Sequence, residues 1–296
     1  MSKETEKAFN QLHQFITQKL HGEIPDIDEL EKLVNEFMQK YNTNLSEISE
    51  PITEKNAEDA FDYLELADQA KTKKKRKEYL EKALSLDPEN IDAQFQLIKE
   101  ETTTPIELLE KINPLIDKAK KQLEVSGVYR KAKGSFGLVL ETRPYMRLLQ
   151  NKLDCLQYCG MIGRSVRLAE EMLKLNPNDN QGIRYTLMAL YAQQEDEFHA
   201  RKLLQQYAGE DGSAFFLLPL SILYFKLGQW DITEQYLNQL KEEYKITDLR
   251  KFIHAVIKKD WSVLDAPSEL VYQPYEFSEL QEVFAEDTYL IVGNYA

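Results

Sequence analysis

The stretch SAFFLLPLSILYFKLGQWDITEQYLNQLKEEY, residues 213–244, decides the fold. Ala214 to Phe225 is a run of twelve residues interrupted by Pro219, short of the roughly 20 that a membrane span needs, so it reads as a buried helix. Gly228 then permits the left-handed turn that ends a helix. Leu237 and Leu240 follow at helical spacing on a second segment. Ser221 is small where the two segments must approach closely, and Leu220 and Tyr224 are large where a gap must be filled. Two helices joined by a tight turn therefore form a hairpin, and a hairpin of this size cannot bury its apolar face alone.

Similar units precede it at nearly the same spacing. Leu149, Leu153 and Leu156 lead to Gly160, then to Ser165, Ala169 and Met172, with a stop at Pro177. Leu187, Met188 and Tyr191 lead to Ala200, Leu204 and Tyr207. Upstream, Ala83, Leu84, Leu86, Asp87 and Pro88 reproduce the ending of such a unit, where proline blocks continuation of the helix. A period near 34 residues with small residues at the helix crossings resembles the tetratricopeptide pattern. Thr233 departs from it, standing where that pattern has alanine. The expected fold is all-α, a tetratricopeptide-like right-handed superhelix of antiparallel helical hairpins.

Outside the hairpins the chain reads in four blocks. Residues 1–42 carry two amphipathic patterns and predict an N-terminal helical hairpin. Residues 43–55 are polar, contain Pro51 and read as a linker. The repeat array is expected over 56–259, clearest in 146–244, with a long helix from Pro105 to Val125 bent at Pro114 and a mixed loop from Ser126 to Arg143. From Asp260 to Ala296 the chain has eight acidic residues, no lysine or arginine, and several aromatics, which suits a segment that caps the last repeat.

Two stretches are more particular than a generic repeat. One is Asn176 to Tyr185, with the order Asn-Pro-Asn-Asp-Asn-Gln-Gly-Ile-Arg-Tyr. The other is Gly134, Ser135, Phe136 and Gly137, followed by Glu141 to Arg147 in the order Glu-Thr-Arg-Pro-Tyr-Met-Arg. Together these resemble the tetratricopeptide proteins related to suppressor of tumorigenicity 7, including a poorly characterised bacterial branch. The resemblance covers roughly residues 126 to 230. It implies helical repeats and protein interaction, with no catalytic residues to carry over. The eukaryotic members have membrane segments that this sequence lacks.

Composition excludes several functions. Fifty acidic residues against thirty-seven basic ones give a net charge of -13, which disfavours broad contact with phosphate backbones or anionic lipid. Hydrophobic residues are 43% of the chain, enough to exclude a disordered polymer. Cys155 and Cys159 sit one helical turn apart without further ligands nearby, and His13, His21, His199 and His254 are dispersed. No metal or cofactor is implied. No nucleophile elbow, phosphate loop or dinucleotide fingerprint is present, and adjacent carboxylates such as Glu170 and Glu171 diverge on a helix. No export segment precedes the first helix, so a cytoplasmic location is expected.

The candidate binding residues follow from the repeat register, which places one set on the concave side of the first helices. These are Arg147, Gln150, Asp154 and Tyr158 in the first clear unit, Tyr185 in the second, and Phe225 and Lys226 in the third. Asn180 and Arg184 lie close in sequence. Cations suit carboxylates and aromatics anchor apolar side chains, so the expected partner is a peptide or protein. A structural role competes equally: Asn180 as cap of a helix beginning at Gln181, and Arg143 and Arg147 as ties between hairpins. The alternative is an RNA-associated regulator using Lys71–Lys77, six basic residues in seven, and Arg130–Lys133 beside the Gly134–Gly137 loop. The simpler account of the lysine run is a solvated turn near a helix C-terminus, where the macrodipole favours it.

Overall fold

The computed structural model describes residues 27–43 and 52–244 except Asp211, together with the isolated positions Leu12, Phe15, Ile16, Lys19, Ile246 and His254. The segment 260–296, expected as a cap, lies outside the described residues. Among the described residues every regular element is a helix. The chain forms two compact units, residues 1–155 and 156–296.

In the first unit, α1 spans Ile27–Thr43, where Phe37 is buried and its ring meets Phe15 at 5.8 Å. Helix α2, Ala60–Gln69, starts with a reciprocal capping box: Asp59 accepts from the Phe61 and Asp62 N–H groups while Asp62 accepts from the Asp59 N–H. Thr72 caps α3, Lys73–Leu86. Their facing residues Leu64, Ala67, Leu80 and Ala83 form a core with Ala93, the small alanines letting the helices approach. Asn90 caps α4, Ile91–Glu101, and Thr104 caps α5, Pro105–Val125, which continues through Pro114.

The lysine run begins in the turn after α2, with Lys71 just past that helix's C-terminus, and continues through the first turns of α3. There the macrodipole opposes it, and acidic neighbours compensate. Arg76 pairs with Glu100 at 2.7 Å and donates to the Ala67 and Ala70 carbonyls at the end of α2. Lys75 pairs with Glu54 at 2.7 Å, Lys77 with Glu101 at 3.4 Å, and Lys73 donates to the Glu100 carbonyl. The Lys75 ammonium and then the Tyr79 hydroxyl, both bonded to Glu54, hold that exposed carboxyl below its ordinary range.

Between α5 and α7 (Arg143–Tyr158) the chain is a folded corner. A short helix α6, Val128–Lys131, precedes Phe136, which is fully buried with its ring edge against Tyr129 at 5.2 Å and Tyr145 at 6.3 Å. The buried Thr142 hydroxyl lies 2.5 Å from the Phe136 carbonyl and 2.7 Å from that of Val139. The point dividing the two units falls within α7.

The second unit continues with α8 (Ile162–Leu175), α9 (Ile183–Gln194), α10 (Glu197–Gln206), α11 (Ala214–Lys226) and α12 (Trp230–Glu243). Three equivalent turns organise it. Met161 N–H donates to the Leu156 carbonyl at 2.8 Å, Asp196 to Tyr191 at 2.9 Å, and Gln229 to Tyr224 at 2.9 Å. Each spans one residue in the left-handed region: Gly160 (φ 67°), Glu195 (φ 59°) and Gly228 (φ 71°). This is the Schellman closure of a helix. Five residues after each turn comes a small buried side chain, Ser165, Ala200 or Thr233. Helix α11 packs on α9 and folds back against α12; the Tyr244 hydroxyl accepts the Ala214 N–H at 2.8 Å at the far end.

Nothing lies within 4 Å of a Cβ added at Gly160 or Gly228, so alanine there meets only backbone strain. Gly228→Ala is expected to destabilise the protein by about 1 to 2 kcal/mol, measured by urea denaturation. An unchanged midpoint would contradict the left-handed turn.

Two tyrosines supply polar bonds between these helices. Tyr191 donates to Glu170 at 2.9 Å and Tyr224 to Glu197 at 3.3 Å, with Tyr224 stacked on Tyr236 at 5.7 Å. Burial, and after it the nearby carboxylate, raises the Tyr191 hydroxyl and pushes Tyr224 up to about 12; burial is also the leading cause of the rise at Tyr207 and Tyr236. In the unfolded chain a phenol titrates near about 10. The folded state holds these protons more tightly, so their stabilisation is fully present below about pH 10 and is lost as pH rises beyond it, for Tyr224 through about 12. Tyrosinate absorbance from these four should therefore appear together with loss of helical circular dichroism. Ionisation of all four with helix intact would contradict it.

Candidate functional site

Each expected binding residue sits where the helices put it, and most of the polar ones are already occupied. Arg147, Gln150 and Asp154 belong to the first unit. On α7, Arg147 reaches Asp92 in the first turn of α4 through two bonds, Nε to Oδ1 at 2.9 Å and Nη2 to Oδ2 at 2.5 Å. A bidentate pair of this kind is a tie between helices. Gln150 donates to Asp154, one turn along the same helix, at 3.2 Å.

The other six lie in the second unit. Asn180 is exposed and accepts from the Asn176 side chain at 3.4 Å. It does not cap the next helix. That helix begins at Ile183 and not at Gln181; Gly182, in the left-handed region, holds the N-cap position, and the Asp179 carboxylate reaches forward to accept the Ile183 and Arg184 N–H groups at 2.8 Å each. Arg184 returns to the same carboxylate at 3.0 Å, donates to the Tyr185 hydroxyl at 2.6 Å and lies over the Tyr185 ring at 4.2 Å. Burial pushes the Asp179 carboxyl up, against the opposing pull of these N–H bonds and of the guanidinium.

Tyr185 is in turn packed, its ring 4.6 Å from Phe215 and 5.7 Å from Phe216 on α11. Lys226 is the clearest departure from a groove cation. Its side chain is 7% exposed, donates to the Ala192 and Gln193 carbonyls at 3.1 and 2.9 Å, and lies 3.3 Å from Glu195. It closes the C-terminal end of α9, where the helix leaves carbonyls unpaired.

What remains open is aromatic. Phe225 is 56% exposed and its ring meets the edge of Trp230, 62% exposed, at 5.2 Å across the turn at Gly228. Tyr158 is 82% exposed beside the Gly160 turn, and Phe198 is 73% exposed just after Glu195. The Gly228 turn lies against the Glu195 turn, because Lys226, Tyr224 and Gln229 all reach residues 192–197. Trp230 and Phe198 were missed as candidates by sequence reasoning, which treated the turn as a connector. The available signal was a large aromatic within three residues of each turn, at the end of one helix or the start of the next.

Among the described residues no further cluster of ligating or nucleophilic side chains is assembled. Cys155 is buried, Cys159 is half-buried, and both are free thiols. His199 is bonded to Asp196 at 2.7 Å and stacked on Tyr191. Among the described residues there is no group of three or more potential metal ligands, and no helix is long and apolar enough to cross a membrane. Of the basic patches, Lys73, Lys75, Arg76 and Lys77 are engaged in ion pairs, whereas Arg130, Lys131 and Lys133 are exposed and make none among the described residues. Compared with protein-family models and with curated protein sequences, the chain matches none.

Proposed function

We propose that the chain is a non-catalytic interaction module, a tetratricopeptide-like right-handed superhelix that holds a peptide or protein partner, in keeping with the resemblance to the suppressor of tumorigenicity 7 relatives. Its setting in this reading is the cytoplasm, consistent with two free thiols. The supporting observation is the contrast at the hairpin turns: Lys226 and Arg184 are used internally, while Phe225 and Trp230 stand in solvent as an edge-to-face pair. Large aromatics of this kind are the residues that anchor partners. Recognition then rests on apolar contact and depends only weakly on salt.

Affinity capture comparing the intact protein with a Phe225→Ala, Trp230→Ala double variant tests this. A partner captured by the intact protein and lost by the variant, at unchanged melting temperature, is the expected result. Retention of every partner would remove the assignment. Tyr185→Ala is a poor probe because that ring packs on Phe215 and Phe216. The RNA reading keeps one patch, the exposed Arg130, Lys131 and Lys133. Binding of a single-stranded RNA that falls steeply with salt and with charge removal there would favour it.

A further inference from the structure

The first unit holds a cleft that the reading above does not use. It is about 210 Å³ in volume and opens between the α3–α4 turn, the C-terminal half of α5 and the start of α7. Ligand pockets for small molecules run to roughly 300 Å³ and more, so this one is sized for a single side chain. Its walls include Leu123 and the ring of Phe61, which is 54% exposed. Four carboxylates line it, Asp87, Glu89, Asp92 and Glu141, and no lysine or arginine does.

Two of those charges are balanced from outside the lining. Asp92 is held by Arg147, and Glu89 by Lys118 at 3.0 Å. The other two are not. Asp87 accepts the Glu89 N–H and the Asn90 side chain but makes no ion pair among the described residues, and exposed Glu141 makes none either. Two carboxylates without a cationic partner among the described residues thus share a mixed polar and apolar cleft with the exposed Phe61 ring. Leu86 and Leu140, each next in sequence to one of them, are exposed.

We propose that this cleft docks an arginine side chain of a partner peptide, its guanidinium between Glu141 and Asp87, its stem against Phe61, and apolar neighbours on Leu86 and Leu140. A planar cation that stacks on a ring and bonds carboxylates in two directions fits this lining better than a compact ammonium. The net charge of -13 draws a basic segment toward it. The site shares no residue with the exposed aromatics at the hairpin turns, so either can fail without the other.

The test uses the full chain and two immobilised random peptide libraries, one with arginine fixed at the centre and one with citrulline, its uncharged counterpart. Retention on the arginine library should exceed that on the citrulline library by about tenfold, the effect of one guanidinium charge beside two carboxylates. Glu141→Gln and Phe61→Ala, both at exposed positions, should each lower it about fivefold or more without changing the melting temperature. Glu171→Gln, which removes an exposed carboxylate outside the lining, should bind as the intact protein does. Equal retention on both libraries, no retention on either, indifference to Glu141→Gln and Phe61→Ala, or an equal loss in Glu171→Gln, would each overturn the proposal.

Discussion

Phe136→Ala is expected to destabilise the protein by about 4 kcal/mol, in the range measured when a fully buried phenylalanine is truncated. The ring is wholly inaccessible and touches Tyr129 and Tyr145 edge-on, an arrangement that adds to simple burial. Its own carbonyl receives the buried Thr142 hydroxyl, so loss of the ring also loosens a polar bond that has no water to replace it. Chemical denaturation of the variant, with Phe136→Leu as a milder control, measures this. A change below about 1 kcal/mol would mean the ring is not the core of this corner. The outcome bears on function as well. A Gly-x-x-Gly loop that grips a nucleic-acid backbone needs its interior residues at the surface, whereas here the loop exists to bury one of them.

The second large effect is expected at Asp179. Asp179→Ala removes the acceptor for two N–H groups at the start of α9 and strands the Arg184 guanidinium, whose side chain is only 13% exposed. Breaking a buried pair from one side costs about 3 to 5 kcal/mol; the partial exposure of Arg184 and its second contact with Tyr185 put the expected loss near the lower figure. Asp179 also sits in the left-handed region at φ 47°, which alanine tolerates poorly. Asp179→Asn keeps an acceptor and tolerates that backbone conformation, so it should lose roughly half as much, isolating the charge from the cap. Equal losses in the two variants would show that the retained acceptor contributes nothing, and no loss in Asp179→Asn would show that the carboxylate charge contributes nothing.

The helices were legible because apolar spacing, glycine and proline punctuation act locally. Gly160 and Gly228 announced two of the three equivalent turns. The third was hidden, because Glu195 occupies a left-handed position by virtue of the same backbone closure without the residue that usually signals it. Small residues at 165, 200 and 233 were readable as crossing points and are buried. The fate of the charged side chains was far less legible. Arg147, weighed equally as a tie between hairpins, is one, whereas Arg184 and Lys226 looked like groove residues because position on a helix says which way a side chain leaves, not what it meets. Their partners Asp92, Asp179 and the α9 carbonyls lie 55, 5 and about 33 residues away in the chain. Asn180 is not the cap for a comparable reason: a left-handed residue and Gly182 start the helix two positions later than the pattern suggested.

The claim on which the rest depends is that successive hairpins of the second unit pack in order, α9 against α11, with their turns side by side. A nuclear Overhauser spectrum with aromatic labelling measures this directly. Cross-peaks joining the Tyr185 ring to both Phe215 and Phe216, whose ring centres lie 4.6 and 5.7 Å away, are predicted. A spectrum of folded, helical protein in which Tyr185 shows no contact with either ring would contradict it.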